Sequence, residues 1–232
     1  MPVLNDVSLE LEPGEVGAII GRRLGGRTTL LRIAAGMGRP DEGTISLGGQ
    51  NLTGLSERSL AQLRGRDIIW LARNCPDDDS NVAWFVGGPL SEGSRKRADR
   101  IAAQALERVG AQDCAGQRAG ALSHWQRALV AFARAFAGKP RLVVIDDLLD
   151  VLGPRQTQAA SDLLRSLIDE SEPRCVVLMS VTDKESALFA DRTWRLTRKG
   201  TLSEWTAQRQ EATVLPFPNP QDTKGSQTAS GT

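Results

Sequence analysis

The chain has 232 residues, and 29 Lys and Arg against 28 Asp and Glu leave a formal charge of +1. That length holds one large domain or two small ones with an ample core, and 40% hydrophobic with 25% charged residues is the balance of a globular protein. The near-neutral charge argues against a nucleic-acid binder, which carries a clear basic excess; Tyr is absent, and 24 Arg stand against 5 Lys.

Val7 to Leu11 alternates apolar and polar residues, which predicts a half-buried strand. Glu12-Pro13-Gly14-Glu15 reads as a turn, and Val16 to Ile20 as a buried strand. A Gly-rich loop from Gly21 to Gly26 leads into a helix over Thr28 to Ala35. Ile45 to Leu47 with Gly48-Gly49 reads as a hairpin, Ser59 to Arg64 as a helix, and Ile68 to Leu71 as a strand. Pro76 to Ser80 is an acidic loop. Arg95 to Val109 carries Ile101, Ala105, Leu106 and Val109 on one helical face, and Ser123 to Ala137 is a second amphipathic helix. Arg141 to Asp147 is a buried strand ending in two carboxylates. A helix over Gln156 to Ile168 and a buried strand over Val176 to Val181 follow. Residues 207–232 are rich in Pro, Gly, Ser, Thr, Gln and Asn and read as a disordered tail. Alternating buried strands and helices imply an α/β fold with a mainly parallel sheet, with ligands at the carboxyl ends of the strands.

Cys75, Cys114 and Cys175 are far apart and form no CxxC pair, so neither a disulfide framework nor a zinc site is expected, and a reducing cytoplasm is the default. The opening residues lack the pattern of a signal peptide. No run of about 18 apolar residues exists, so a membrane role is expected only through a partner.

Gly21-Arg22-Arg23-Leu24-Gly25-Gly26-Arg27-Thr28 fits the spacing G-x-x-x-x-G-K-[ST], with Arg27 in the lysine position. In such a loop backbone N–H groups and a helix N-terminus stabilise phosphate oxygens. Thr28 is the candidate magnesium ligand, and Thr29 follows it. Arg keeps the charge, but its planar fork does not replace a compact ammonium. Leu24 stands where many such loops have Gly. Alone, the motif is equally consistent with an ordinary Gly-rich strand-to-helix turn.

Leu142-Val143-Val144-Ile145-Asp146-Asp147 reads as a Walker B strand, in which Asp146 holds Mg²⁺ through water and Asp147 orients the attacking water. Leu122-Ser123-His124-Trp125-Gln126-Arg127 lies just before it, with Ala131-x-Ala133-Arg134-Ala135 and Lys139-Pro140 between. In this order the segments resemble the ABC-type ATPases over roughly residues 3 to 205. Leu55-Ser56-Glu57-x-x-Leu60 and Ala105 to Gly110 are similar to the lipoprotein-release, macrolide-export and FtsE-like branch.

The resemblance implies a P-loop NTPase fold of ABC type: a mainly parallel sheet flanked by helices, a small antiparallel β part and a helical subdomain over about residues 75–137 of a domain spanning 1–206. It implies ATP and Mg²⁺ as cofactors. Gly21, Leu24, Gly25, Gly26, Arg27, Thr28, Thr29 and, at the Q-loop position, Arg73 are placed at the nucleotide. Ser123 and Gln126 are placed at the nucleotide of the opposite subunit. Thr28 and Asp146 are placed at the metal, and Asp147 and Thr182 at the chemistry. The implied partners are a membrane permease subunit and a second ABC ATPase subunit, in a homodimer or a heterodimer. The implied location is the inner face of the cell membrane.

Departures from the family pattern are part of the reading. His124 and Trp125 replace two glycines of the signature, Asp147 the catalytic Glu, and Thr182 the switch His. Leu148 and Gly153 replace the Pro and distal Asp of the next loop. Trp125 either obstructs the opposite nucleotide or anchors a surface contact, and His124, the single histidine, reads as a local polar contact. Residues 1 to 20 contain no aromatic side chain for the adenine to stack on, so either the start lies upstream of Met1 or the platform is missing. Two readings result, a transporter ATPase with weakened hydrolysis or a non-catalytic pseudo-ATPase scaffold. A soluble ABC protein outside transport is a third.

Overall fold

The computed structural model describes residues 3–73 and 76–205. The expected tail lies outside the described residues. In chain order the first half contains β1 (Val16–Ile20), α1 (Arg27–Ala34), β2 (Ser46–Leu47), β3 (Gln50–Asn51), α2 (Glu57–Arg66), β4 (Ile68–Ala72) and α3 (Val82–Gly87). The second contains α4 (Arg95–Arg108), α5 (His124–Gly138), β5 (Leu142–Asp146), α6 (Pro154–Glu170), β6 (Val176–Val181), β7 (Arg192–Leu196) and β8 (Leu202–Glu204).

The main sheet has the order β4-β5-β6-β1-β7-β8. Its first five strands are parallel, and β8 closes the edge antiparallel to β7. β2 and β3 form a separate antiparallel ribbon. A parallel sheet covered on both faces needs apolar residues at successive positions. The strands obey this: Val143 and Ile145 enter one core while Leu142 and Val144 enter the other. Val177, Met179 and Val181 likewise oppose Leu178. The larger core lies under α3 to α6, and the smaller under α1, α2 and the opening segment. Helices α3, α4 and α5 pack on one another.

Sequence patterns mark the helix ends. Ser56 caps α2 by accepting from the Ser59 N–H at 3.2 Å, so that helix starts earlier than its apolar spacing predicts. Pro154 opens α6, where a missing N–H costs nothing. Three elements escaped the periodicity: α3 is one short turn and a half, β8 is three residues, and β7 is interrupted by Arg192 and Arg195.

The expected strand over Val7 to Leu11 is corrected. The segment has no regular secondary structure and joins no ladder among the described residues. Leu9 and Leu11 still pack against the smaller core, and a Cβ on Gly17 would lie 2.7 Å from Leu11. Arg192 Nη1 donates to the Glu10 carbonyl at 2.7 Å. Alternation here records side-chain burial and not backbone pairing.

Candidate functional site

The loop between β1 and α1 is built on glycine. Gly26 is the residue before α1 and has φ +97, a conformation that disfavours a side chain. Gly25 donates its N–H to the Arg22 carbonyl at 3.0 Å, and a Cβ on Gly25 would meet that same oxygen at 2.9 Å. The loop therefore presents bare backbone ahead of the helix start. Leu24 also lies in the left-handed region, at φ 59, and is fully exposed. A branched side chain in that conformation carries strain of about 1–2 kcal/mol, which is why glycine suits the position.

The ends of β4, β5 and β6 converge beside this loop. Thr28, in the first turn of α1, places its hydroxyl 3.2 Å from Asp146 Oδ1 at the end of β5. Ser180, fully buried near the end of β6, places its hydroxyl 2.9 Å from Asp146 Oδ1 and 3.0 Å from Asp147 Oδ1. Ser180 Oγ also accepts the Asp147 N–H at 3.0 Å. Asp147 has φ 52, a left-handed turn that Asp tolerates better than most residues. Arg73, just past β4, donates its N–H to the Asp146 carbonyl at 3.3 Å. Burial raises the Asp146 carboxyl above its ordinary range and the Asp147 charge adds to this, while the hydroxyls of Ser180 and Thr28 and the charge of Arg27 oppose it.

Arg27 does not project over the loop. Its side chain passes Gly21 and is 3% exposed. Nη2 lies 2.9 Å from Asp147 Oδ1, and Nη1 lies 3.9 Å from Asp150 Oδ2. Asp150 Oδ1 accepts the Thr182 N–H at 3.1 Å. Burial is the largest cause that raises the Asp150 carboxyl, against the Thr182 N–H and the Arg27 charge. Arg27, Thr28, Asp146, Asp147 and Thr182 are thus gathered at one place, the last through Asp150.

Ser123 and Gln126 bond to each other. Ser123 caps α5, accepting the Gln126 N–H at 3.3 Å, and the Gln126 Oε1 accepts the Ser123 N–H at 3.0 Å. His124 is exposed, and Trp125 is half-buried against the larger core. Thr29 is exposed on α1.

Ser180 and Asp150 are the residues that sequence reasoning missed. Ser180 had a signal: a hydroxyl inside the apolar run Val176 to Val181, which a buried strand tolerates only with a partner. Asp150 is the third acid of Asp146-Asp147-Leu148-Leu149-Asp150, and only the turn after β5 brings it back to Arg27.

A triphosphate with its cation fits this loop. The loop runs into the N-terminus of α1, where backbone N–H groups suit phosphate oxygens, and Thr28 with Asp146 offers a hydroxyl and a carboxylate, the hard oxygens that Mg²⁺ takes. No group of three or more acidic, His or Cys side chains able to hold a metal occurs among the described residues. Phosphate and water would therefore complete the cation's shell.

Comparison with known proteins bears on the family and the fold. A family model described as "ABC transporter" matches residues 4–149. The chain is 36% identical over 168 residues to the methionine import ATP-binding protein MetN of Rhizobium etli, covering 72% of this chain and 46% of that protein. It is 33% identical over 206 residues to a probable anion import ATP-binding protein of Haloferax volcanii, covering 82% and 70%. It is 32% identical over 201 residues to the lipoprotein-releasing system ATP-binding protein LolD of Pseudomonas syringae pv. tomato, covering 84% and 86%. The chain spans about half the length of the MetN relatives. An ATP-binding cassette solved as a dimer in a post-hydrolysis state with ADP and Pi superposes with a TM-score of 0.77 at 22% identity, over 88% of this chain and 91% of that one. At that identity the likeness speaks for the fold.

Proposed function

The chain belongs to the ABC transporter family, and on that premise we propose that it is an ATP-binding subunit that binds Mg-ATP and drives or regulates a membrane permease, with weakened hydrolysis. The observation that carries this reading is the approach of Thr28 to Asp146 at 3.2 Å beside a glycine-built loop. Bound ATP supplies the phosphoryl group and the charge that draws in Mg²⁺. Backbone amides of the Gly21–Thr28 loop other than that of Gly25, with Leu24 and Thr29 among the lining residues, would hold the phosphates at a helix N-terminus. Thr28 and Asp146 hold the cation, and Ser180 fixes the Asp146 rotamer. Asp147 would orient water, and Arg73 after β4 and Thr182 after β6 would serve the nucleotide.

Ser123 and Gln126 serve the nucleotide of a second ATPase subunit, in a homodimer or a heterodimer. Relatives named for import and for lipoprotein release both support a transporter partner. No described helix is long and apolar enough to cross a membrane; the proposed attachment, at the cytoplasmic face, is through the permease. The proposed nucleotide-binding domain is 1–206, with a helical subdomain over about residues 75–137 that includes α3, α4 and most of α5.

A second reading, the pseudo-ATPase scaffold, is favoured by one contact. Arg27 binds Asp147, so the cation meant for phosphate and the carboxylate meant for water occupy each other. Equilibrium Mg-ATP binding and phosphate release, measured with the chain alone and with its permease, separate the two. Turnover that appears with the permease supports the first reading. Binding without turnover in either setting supports the second. Failure to bind Mg-ATP in both settings overturns both.

A further inference from the structure

Arg27 presents a chemical imbalance. A guanidinium carries five N–H donors in a fixed fork. Here it is 3% exposed, yet Nη1 has no hydrogen-bond partner; it is the one such side-chain atom among the described residues. Asp150 Oδ2 lies 3.9 Å from it, an ion pair and not a hydrogen bond. The other Asp150 oxygen accepts the Thr182 N–H. One carboxylate is thus stretched between the segment after β6 and the side chain at the start of α1. Its own side chain is 13% exposed, so water screens the pair weakly.

Two carboxylates, Asp147 and Asp150, face this one guanidinium. Phosphoryl oxygens are the other ligand that the fork recognises, and it binds them in the same bidentate way. A phosphate chain entering the Gly21–Thr28 loop therefore meets a cation that is already engaged. We propose that Asp150 is a positioning residue for nucleotide binding: it competes with phosphate for Arg27, and it couples the release of Arg27 to the Thr182 segment. This rests on the reading of the loop as a nucleotide site. It adds a residue that sets how tightly the phosphates are held, through Arg27 and without touching them.

The test is a double-mutant cycle on the full chain, with calorimetric binding of Mg-ATP, Mg-tripolyphosphate and adenosine. Asp150→Asn keeps an oxygen for the Thr182 N–H and removes the competing charge. It should tighten Mg-ATP and Mg-tripolyphosphate about tenfold, the scale of one charged contact, and leave adenosine unchanged. In an Arg27→Gln background the same substitution should change phosphate binding less than about twofold. Near-UV circular dichroism checks the fold of each variant. If Arg27→Gln does not fold, Arg27→Lys is the second background, and there the gain should fall by at least half. Equal tightening with and without Arg27 would show plain charge repulsion and overturn the proposal. Weaker phosphate binding in Asp150→Asn would overturn it as well. Either result, with Mg-ATP still bound by the unsubstituted chain, leaves the nucleotide reading standing. No binding of ATP or tripolyphosphate by any variant overturns both.

Discussion

Removing the Ser180 hydroxyl tests how the two carboxylates of the site are held. Ser180→Ala deletes one oxygen at a fully buried position. That oxygen contacts both Asp146 and Asp147 and accepts the Asp147 N–H. A hydrogen bond to a charged group is worth about 1.5–3 kcal/mol, and a stranded buried N–H costs about 1–3. Thr28 still serves Asp146 and solvent reaches Asp147, so the expected loss is about 2–4 kcal/mol. For a chain of this size that is a fall in Tm of about 5–15 °C.

A pH dependence follows with a definite sign. The Asp146 carboxyl is raised by burial, and the Ser180 hydroxyl opposes that rise. The variant pushes Asp146 higher still. A carboxyl raised in the folded state binds its proton more tightly there than in the unfolded chain. It therefore favours folding in acid and costs stability as pH rises from the ordinary carboxylate range through the raised one. Thermal unfolding by circular dichroism should show the full deficit at pH 7 and a clearly smaller one near pH 4. Ser203→Ala, on the exposed face of β8, is the control and should be neutral. A Ser180→Ala deficit under about 2 °C at pH 7, or one equally large near pH 4, would refute the reasoning.

Asp191→Asn should show the opposite pH dependence. Burial raises Asp191, but the Arg165 hydrogen bond, the Val16 N–H and the Arg165 charge outweigh it and hold the carboxyl below its ordinary range. Its contribution is present above the unfolded pKa and fades as pH falls through the folded one. The stability gap to the unsubstituted chain should shrink steadily in acid denaturation, and a constant gap would contradict this. Arg127→Ala should cost about 1–3 kcal/mol and expose the acidic loop to protease. The Arg127 side chain donates to the Pro76 carbonyl, Asp78 and the Ala119 carbonyl at 3.1, 2.8 and 2.9 Å. Unchanged limited proteolysis at residues 76–80 would count against it. Cys114 and Cys175 are buried, and burial raises both thiols. A thiol reagent should modify them only as fast as the chain unfolds, and rapid native labelling of either would be inconsistent with the packing.

Much of the fold was legible because burial leaves a pattern. The runs Val16 to Ile20, Arg141 to Asp147 and Val176 to Val181 each become a central parallel strand. A strand covered on both faces carries apolar residues at every position, and that pattern is local. The Gly21–Thr28 loop was equally plain, since its glycines answer backbone needs that only Gly26 and its neighbours make. Val7 to Leu11 misled for a related reason. Its alternation is real and its Leu side chains are packed, but pairing depends on a neighbour, which local pattern does not encode.

Contacts of long range were decided elsewhere. Arg27 has the charge of a phosphate ligand, yet which anion holds it depends on Asp147 and Asp150, more than a hundred residues away. Gln126 stands at a signature position, yet its amide closes a cap on Ser123. Ser180 is one hydroxyl in an apolar strand until the β5 and β6 ends bring it against Asp146 and Asp147. By itself the sequence of 232 residues with +1 charge determined which segments are buried and where a glycine-rich strand-to-helix loop must lie, because hydrophobic burial and turn conformation are properties of neighbouring residues. Only the tertiary structure decided how the charges of that loop are paired, because ion pairing follows distance in space and not order along the chain.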